Sequence, residues 1–595
     1  MRRWREMRVI KKRPVPGVSR LAMALAWLSL LAAPATVIAG QAMPAATAYT
    51  EVARTSFHLP VRDGTRLAIN LYRPMVAGKA VETPLPVIFA FTPYRARYFD
   101  KDRKIVELVD SPIFGLRALV RSGYVVATAD VRGKGASFGA RRGFLDQTEA
   151  HDGYDLIQWL AAQPWSTGKV GITGCSYLGG SAMLVAGASP PALRAIFAAA
   201  TDIDKYSFVR NGGITGQFNT RPDEPPEVDL ASVPVDADGD GALLKAAVAE
   251  HARNTPMAKL WETMPYRDSV SPLTGNRFWE EVGPYTHLKA LKDPKLAWLL
   301  WSNWEDEPTE QMILNAVNIP SRMLIGPGSH CVGPEQFDIA GEQRRFFDHY
   351  LKGVDNGFEQ GPRYNWYHEG PNGTGTMVAS ASAPGVGIAR IPLYLSTGPD
   401  GSLSPVKPDA GVRSFTVDYD VAKGEYFAFW PPSPFGKGPS FTSAPLAADA
   451  AMTGYPIANI TTALDRPDAN LFAYLEDVDP TGKAYMVSFG RLAAAHRKLS
   501  RAPYDRLDLP YHSGLKADAL PMVPGKPAAL AFSMVPQAYT FAAGHRVRVT
   551  LTGADPRQRN LAQIRQDPPP VFTILTGSSG GSRIDIPFTT KPKFR

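Results

Sequence analysis

The chain has 595 residues, 44% hydrophobic and 20% charged. That is the balance of a globular protein, and the length is too great for one compact core, so two or three domains are expected. The net charge of +9 is concentrated: residues 2–20 hold eight basic side chains against one acid, which leaves the remainder near neutral at +2 and offers no basic face for nucleic acid.

In chain order, the basic stretch runs into an uncharged segment, Leu21 to Ala39, that ends in small residues. Basic, then apolar, then small is the pattern of an export signal peptide, here residues 1–42, with cleavage after Ala39 or Ala42. An uncleaved anchor is the alternative, because the run is nearly long enough to span a bilayer. With no cysteine before Cys175, no cysteine-borne lipid anchor is expected.

Residues 55–61 and 66–73 read as an antiparallel hairpin about Asp63-Gly64. Pro86–Phe91 and Tyr124–Ala129 are continuous apolar runs, as in strands buried on both faces of a parallel sheet. A helical period over Glu149–Ala162, a strand at Lys169–Thr173 and a helix at Leu178–Gly187 follow. Further strands are expected at Ala195–Ala200, Trp298–Trp301 and Met323–Gly326, and a closing helix over Pro334–Leu351. The alternation predicts a doubly wound α/β domain in two parts, residues 50–204 and 291–355. Between them, residues 205–290 are rich in helix formers and acids and read as a cap over the sheet. Residues 360–595 have many Pro and Gly and short alternating segments (Arg390–Leu395, Leu471–Leu475, Arg546–Leu551), which indicates a β-sandwich or jelly roll.

The chemistry-bearing motif is Gly174-Cys175-Ser176-Tyr177-Leu178-Gly179, set between a predicted strand and a predicted helix. A nucleophile elbow needs small residues around a strained turn, so that the Ser oxygen projects above the sheet and the next N–H, here that of Tyr177, meets the developing oxyanion. The usual second Gly stands one place late, with Leu178 in its position. The partners of such a Ser follow in the order acid, then His, at later strand ends. His330 directly follows the strand at Met323–Gly326. Asp306 lies 24 residues earlier, just past another strand, with Glu305, Glu307, Asp202 and Asp204 as rival carboxylates.

Further motifs make the resemblance specific. They are Thr92-Pro-Tyr94, the glycine-rich Asp130–Gly139, Asp152–Asp155 with Trp159, Gln163–Gly171, Leu475–Gly482 and Gly544–Arg548. With these the chain resembles the cocaine-esterase (CocE/NonD-type) and X-Pro dipeptidyl-peptidase-like serine hydrolases, a group that includes α-amino-acid ester hydrolases and glutaryl acylases. The resemblance implies an α/β-hydrolase domain with an inserted helical cap, followed by a jelly roll. It also implies Ser176, Asp306 and His330 as a triad and Tyr94 as a tyrosine of the oxyanion hole beside the Tyr177 N–H.

The expected function is a serine hydrolase acting on a small ester or amide, with no metal or organic cofactor. No nucleic acid partner is expected, nor a stable membrane partner once the leader is removed. X-Pro dipeptide release is the alternative within the same chemistry, and a non-catalytic carbohydrate-binding or cell-surface protein the alternative outside it. Four minor expectations complete the reading. Ala96, flanked by Arg95 and Arg97, stands where α-amino-acid ester hydrolases carry a carboxylate, and the arginines would suit an acidic acyl group. The cap acids Asp223, Glu224, Glu227 and Asp229 read as a solvated loop. Asp236–Gly241 resembles half a calcium loop but has Ala247 in the twelfth position, which favours a surface turn. Cys175 and Cys331 read as two buried free thiols.

Overall fold

The computed structural model describes residues 49–216, 223–370, 373–398, 403–421, 429–558, 561–577 and 580–595. The leader, residues 1–42, lies outside the described residues. Among the described residues no helix is long and apolar enough to cross a membrane.

The first half is built on strands β1 (Glu51–Pro60), β2 (Arg66–Val76), β3 (Leu85–Thr92), β4 (Val125–Asp130), β5 (Ser166–Cys175), β6 (Leu193–Ala199), β7 (Ala297–Glu305), β8 (Arg322–Ser329) and β9 (Tyr364–Glu369). They lie in the order β1-β2-β4-β3-β5-β6-β7-β8-β9. The β1–β2–β4 pairings are antiparallel and those from β4 to β9 are parallel. The expected hairpin turns where Gly64 takes a φ of 83°. Helices α1 (Gln147–Ala161), α2 (Tyr177–Gly187), α3 (Ala242–His251), α4 (Thr309–Asn318) and α5 (Ile339–Lys352) accompany the strands.

The apolar runs are explained by burial on both faces. In β3, Val87, Phe89 and Phe91 pack with residues of α1, α2 and α4, while Ile88 and Ala90 pack on the opposite face with Phe346, Phe347 and Leu351 of α5. Helix α5 starts later than its periodicity suggests. Asp338 caps it by accepting from the Gly341 N–H at 2.9 Å, and Gly353 ends it at a φ of 74°.

The insertion between β6 and β7 is made of short helical pieces, of which α3, with ten residues, is the longest described. Its own small core holds Tyr206, Trp261, Met264, Phe278, Trp279 and Val282.

The C-terminal half is antiparallel. Its strands include β10 (Ala450–Gly454), β11 (Ile457–Leu464), β12 (Asn470–Val478), β13 (Ala484–Ala493), β14 (Gln537–Phe541) and β15 (Arg546–Thr552). A seven-stranded sheet built around β11 and a four-stranded sheet containing β12, β13 and β15 enclose a second core. This is a β-sandwich. It is not a separate appendage: β14 pairs with β9 and β10 pairs with β14, so the hydrolase sheet runs on into the C-terminal half. Buried ion pairs cross the same seam, Arg491 and Arg557 with Glu307 and Arg506 with Glu310.

Candidate active site

Ser176 stands between β5 and α2 with φ 62° and ψ −126°. A non-glycine residue in that region carries backbone strain of about 1–3 kcal/mol and persists only where its surroundings fix it. The fixing is visible. The Ser176 N–H donates to the Ala199 carbonyl at 3.0 Å, and the Ser176 carbonyl accepts from the Gly180 N–H at 2.9 Å.

The displaced glycine also has its reason. A Cβ on Gly179 would lie 2.4 Å from the Ala199 carbonyl oxygen, so helix and strand approach too closely here for a side chain. Leu178, in the usual glycine place, is accommodated because Gly174 lacks a side chain: a Cβ there would lie 2.3 Å from that of Leu178. The Tyr177 N–H is the first amide of α2 and has no partner within the helix.

The Tyr177 ring is buried. Its hydroxyl donates to Glu149 at 2.6 Å and accepts from the Arg141 guanidinium at 2.5 Å; the Ser181 hydroxyl donates to the other Glu149 oxygen at 3.0 Å. Burial pushes the Glu149 carboxyl up to about 7, against the pull of Arg141 and the Tyr177 hydroxyl. Tyr94, 44% exposed, meets the Tyr177 ring edge-on with centroids 6.2 Å apart. Its loop is held from beneath by Asp130, which accepts from the Ala96 N–H at 2.6 Å and the Ala136 N–H at 3.0 Å. Burial pushes Asp130 up to about 6. The Asp130–Gly139 motif therefore ties the Tyr94 loop to the loop after β4.

His330 follows β8, and Asp306 follows β7. Nδ1 of His330 lies 2.9 and 3.0 Å from the two Asp306 oxygens. Asp306 is fully buried. Desolvation raises its carboxyl, and the neighbouring imidazole opposes that rise. The rival acids are placed elsewhere. Glu307 faces Arg491 and Arg557, Asp202 pairs with Lys205, and Asp204 takes a bidentate bond from Arg267 at 2.8 Å. Glu305 ends β7 on the exposed side. Among the described residues Ser176 Oγ takes part in no hydrogen bond, and neither does His330 Nε2.

Three contacts at His330 escaped the sequence reading. Asn303 donates from Nδ2 to the carbonyls of Ser329 and Val332, both at 2.7 Å, and so brackets the histidine in the chain. Phe429, from the sandwich half, stacks on the imidazole at 4.3 Å between centroids. Neither has a sequence signal, since an Asn in a strand and a Phe near a Pro-rich stretch are unremarkable. The third is a correction: Cys175 and Cys331 are not free thiols but a disulfide, with Cα atoms 6.1 Å apart. That distance suits a disulfide, and both residues adjoin candidate catalytic positions.

The expectations for the arginines and the cap acids also change, while the one for Asp236–Gly241 holds. Arg95 donates to the Val228 carbonyl at 2.6 Å and Arg97 forms a buried pair with Glu107 at 2.7 Å, so neither arginine is spare. Of the cap acids, Glu227 is exposed, but Asp229 is buried against His251 at 3.0 Å and Lys134 at 3.2 Å, and Asp223 accepts from the Met257 N–H. The Asp236–Gly241 segment is a turn whose acids serve the chain itself. Asp236 accepts from Arg54 and Ser56, and Asp238 accepts from the Leu243 and Leu244 N–H groups at the start of α3.

Known proteins resemble this chain in family and in fold. Residues 63–332 match the family described as X-Pro dipeptidyl-peptidase (S15 family), and residues 356–569 match its C-terminal non-catalytic domain. A Mycobacterium tuberculosis protein designated a serine esterase is 29% identical, over 91% of this chain and 96% of its own. The cocaine esterase of a Rhodococcus species is 26% identical over 50% of this chain and 54% of its own. A solved CocE/NonD family hydrolase from Staphylococcus aureus has the same fold, with a TM-score of 0.69 at 20% identity over 90% of this chain and 93% of that one.

Proposed function

We infer, for a chain that belongs to the S15 family of serine hydrolases and cleaves ester or amide bonds, that Ser176 is its nucleophile, His330 its general base and Asp306 the group that orients the base. One observation carries the reading. A serine held in strained backbone at a strand–helix junction lies one residue from a disulfide whose other end adjoins a histidine paired to a buried aspartate.

The chemistry follows. Nε2 of His330 takes the Ser176 proton as Oγ attacks the acyl carbon. Asp306 holds the Nδ1 proton and stabilises the imidazolium that forms. The Tyr177 N–H and the Tyr94 hydroxyl receive the oxyanion. His330 returns its proton to the departing alcohol or amine, and water, activated the same way, releases the acid.

Among acyl donors, an ester or amide without a free α-ammonium is favoured over an X-Pro peptide. Holding an ammonium in a closed site requires an uncommitted carboxylate. In the insertion and the segment leading into it, Asp202, Asp204 and Asp229 are each paired to a cation or imidazole. Export is proposed from the basic-apolar leader and is supported by the disulfide, which belongs to an oxidising compartment. The sandwich is proposed to have jelly-roll connectivity.

The test is a fluorophosphonate probe, which labels only an activated serine, followed by parallel assays on a p-nitrophenyl ester and a Gly-Pro anilide. Labelling at Ser176 with faster ester turnover is expected. An unlabelled wild-type protein sinks the triad, and a faster anilide sinks the substrate preference.

A further inference from the structure

Strands β5 and β8 are not neighbours; β6 and β7 lie between them. At about 4.8 Å per strand, the end of β8 emerges roughly 14 Å along the sheet from the end of β5. For His330 to serve Ser176, its loop must lean back across two strands.

The hydrogen bonds that hold this loop come from Asn303 and Asp306, on and just past β7. They fix the loop to its immediate neighbour and not to the elbow. Among the described residues, the Cys175–Cys331 bond is the one covalent or hydrogen-bonded link between the loop carrying His330 and the strand carrying Ser176. It closes a separation of 156 residues, and both cysteines are buried. Cys331 takes a φ of 56°, a left-handed conformation that turns the chain immediately after the imidazole.

Resting on the triad reading above, we propose that Cys175–Cys331 is a positioning device for the reaction: it ties the His330 loop to the chain beside Ser176, from where the imidazole reaches the serine during turnover, so that turnover depends on the oxidised state. Reduction by a dithiol breaks the S–S bond. Each sulfur leaves with one electron and one proton, and the dithiol becomes a cyclic disulfide. Two buried thiols need more room than one bond, so the loop shifts. Displacing a catalytic group by about 1 Å costs on the order of 100-fold in rate. Both sulfurs belong to buried residues, so KM is expected to change less than kcat. A protein of this design stays quiet in a reducing cytoplasm and becomes active where disulfides form.

The experiment compares wild type with Cys175→Ala, Cys331→Ala and the double variant. Each is assayed for kcat and KM on a p-nitrophenyl ester, for fluorophosphonate labelling rate and for melting temperature. Cys331→Ala is expected to lose about 10- to 100-fold in kcat and in labelling rate, with KM within about threefold. The double variant is expected to be no worse than the weaker single variant, because both singles remove one bond. Wild type treated with dithiothreitol until two thiols per chain react is expected to fall to the same level and to recover on reoxidation. The cysteine variants should be indifferent to the reagent.

A kcat within threefold of wild type in Cys331→Ala overturns the proposal, even if the melting temperature falls. Should the variants not fold, full activity in wild type with two titrated thiols overturns it equally. Failure of oxidised wild type to label overturns the triad reading instead.

Discussion

The two sides of the candidate site are built by different means. The Ser176 side is made by the backbone: a parallel strand, a helix and two glycines that let them meet, with the Ala199 carbonyl receiving the Ser176 N–H. The His330 side is made by side chains from three places, Asn303 on β7, Asp306 just past it and Phe429 from the sandwich, with one sulfur bond as a tie to the other side. A backbone-built side should be intolerant of added volume. A side-chain-built side should lose activity by degrees while the fold survives.

The largest effect expected is chemical. Asp306→Asn should lower kcat by about 10,000-fold while melting within a few degrees of wild type, because it disturbs the imidazole tautomer and little else; steady-state kinetics on an ester checks this. On the backbone side, Gly179→Ala places a methyl 2.4 Å from a carbonyl oxygen. It should cost about 3 kcal/mol, read as a lowered denaturant midpoint.

Glu149, beneath the Tyr177 ring, links this side to pH. Burial raises its carboxyl to about 7 from 4.5, so the folded state holds a proton that the unfolded state releases. The stability from that proton is complete below about pH 4.5 and disappears as pH rises through 7, on the order of 3 kcal/mol in all. Glu149→Gln should flatten this stretch of the stability–pH curve in urea titrations.

On the side-chain side, Asn303→Ala should release both carbonyls around His330 and cost about 2 kcal/mol, seen as a 30-fold drop in kcat/KM. Phe429→Ala should be mildest, below about 1 kcal/mol, through loss of one stacking contact. If Phe429→Ala proved worse than Asn303→Ala, the sandwich half would have a larger share in the site than its single contact implies.

This contrast also explains what could be read in advance. The elbow was legible because its causes are local: Gly174, Ser176 and Gly179 act within six residues of chain, and the flanking strand and helix have their own periodicity. Asp306 and His330 were legible as strand-end residues in the right order, although Glu307 could be set aside only by seeing Arg491 and Arg557 against it, and Glu305 only by its exposed place at the end of β7. Asn303, Phe429 and the disulfide were not legible, since each depends on an approach between segments far apart in sequence. The thiol expectation failed for that reason: adjacency to Ser176 and His330 brought the cysteines near, but only the fold sets which way they face. The start of α5 was misjudged because the helical period runs back past Asp338, and it is the capping bond that chooses the first turn.

The continuous sheet has a consequence for handling the protein. Because β14 pairs with β9, a truncation after residue 355 would remove β9 and leave β8, at the heart of the hydrolase half, as a bare strand edge. Such edges recruit other chains, so the excised fragment should precipitate where the whole chain does not. Calorimetry of the intact protein should then show one melting event, with both halves giving way together.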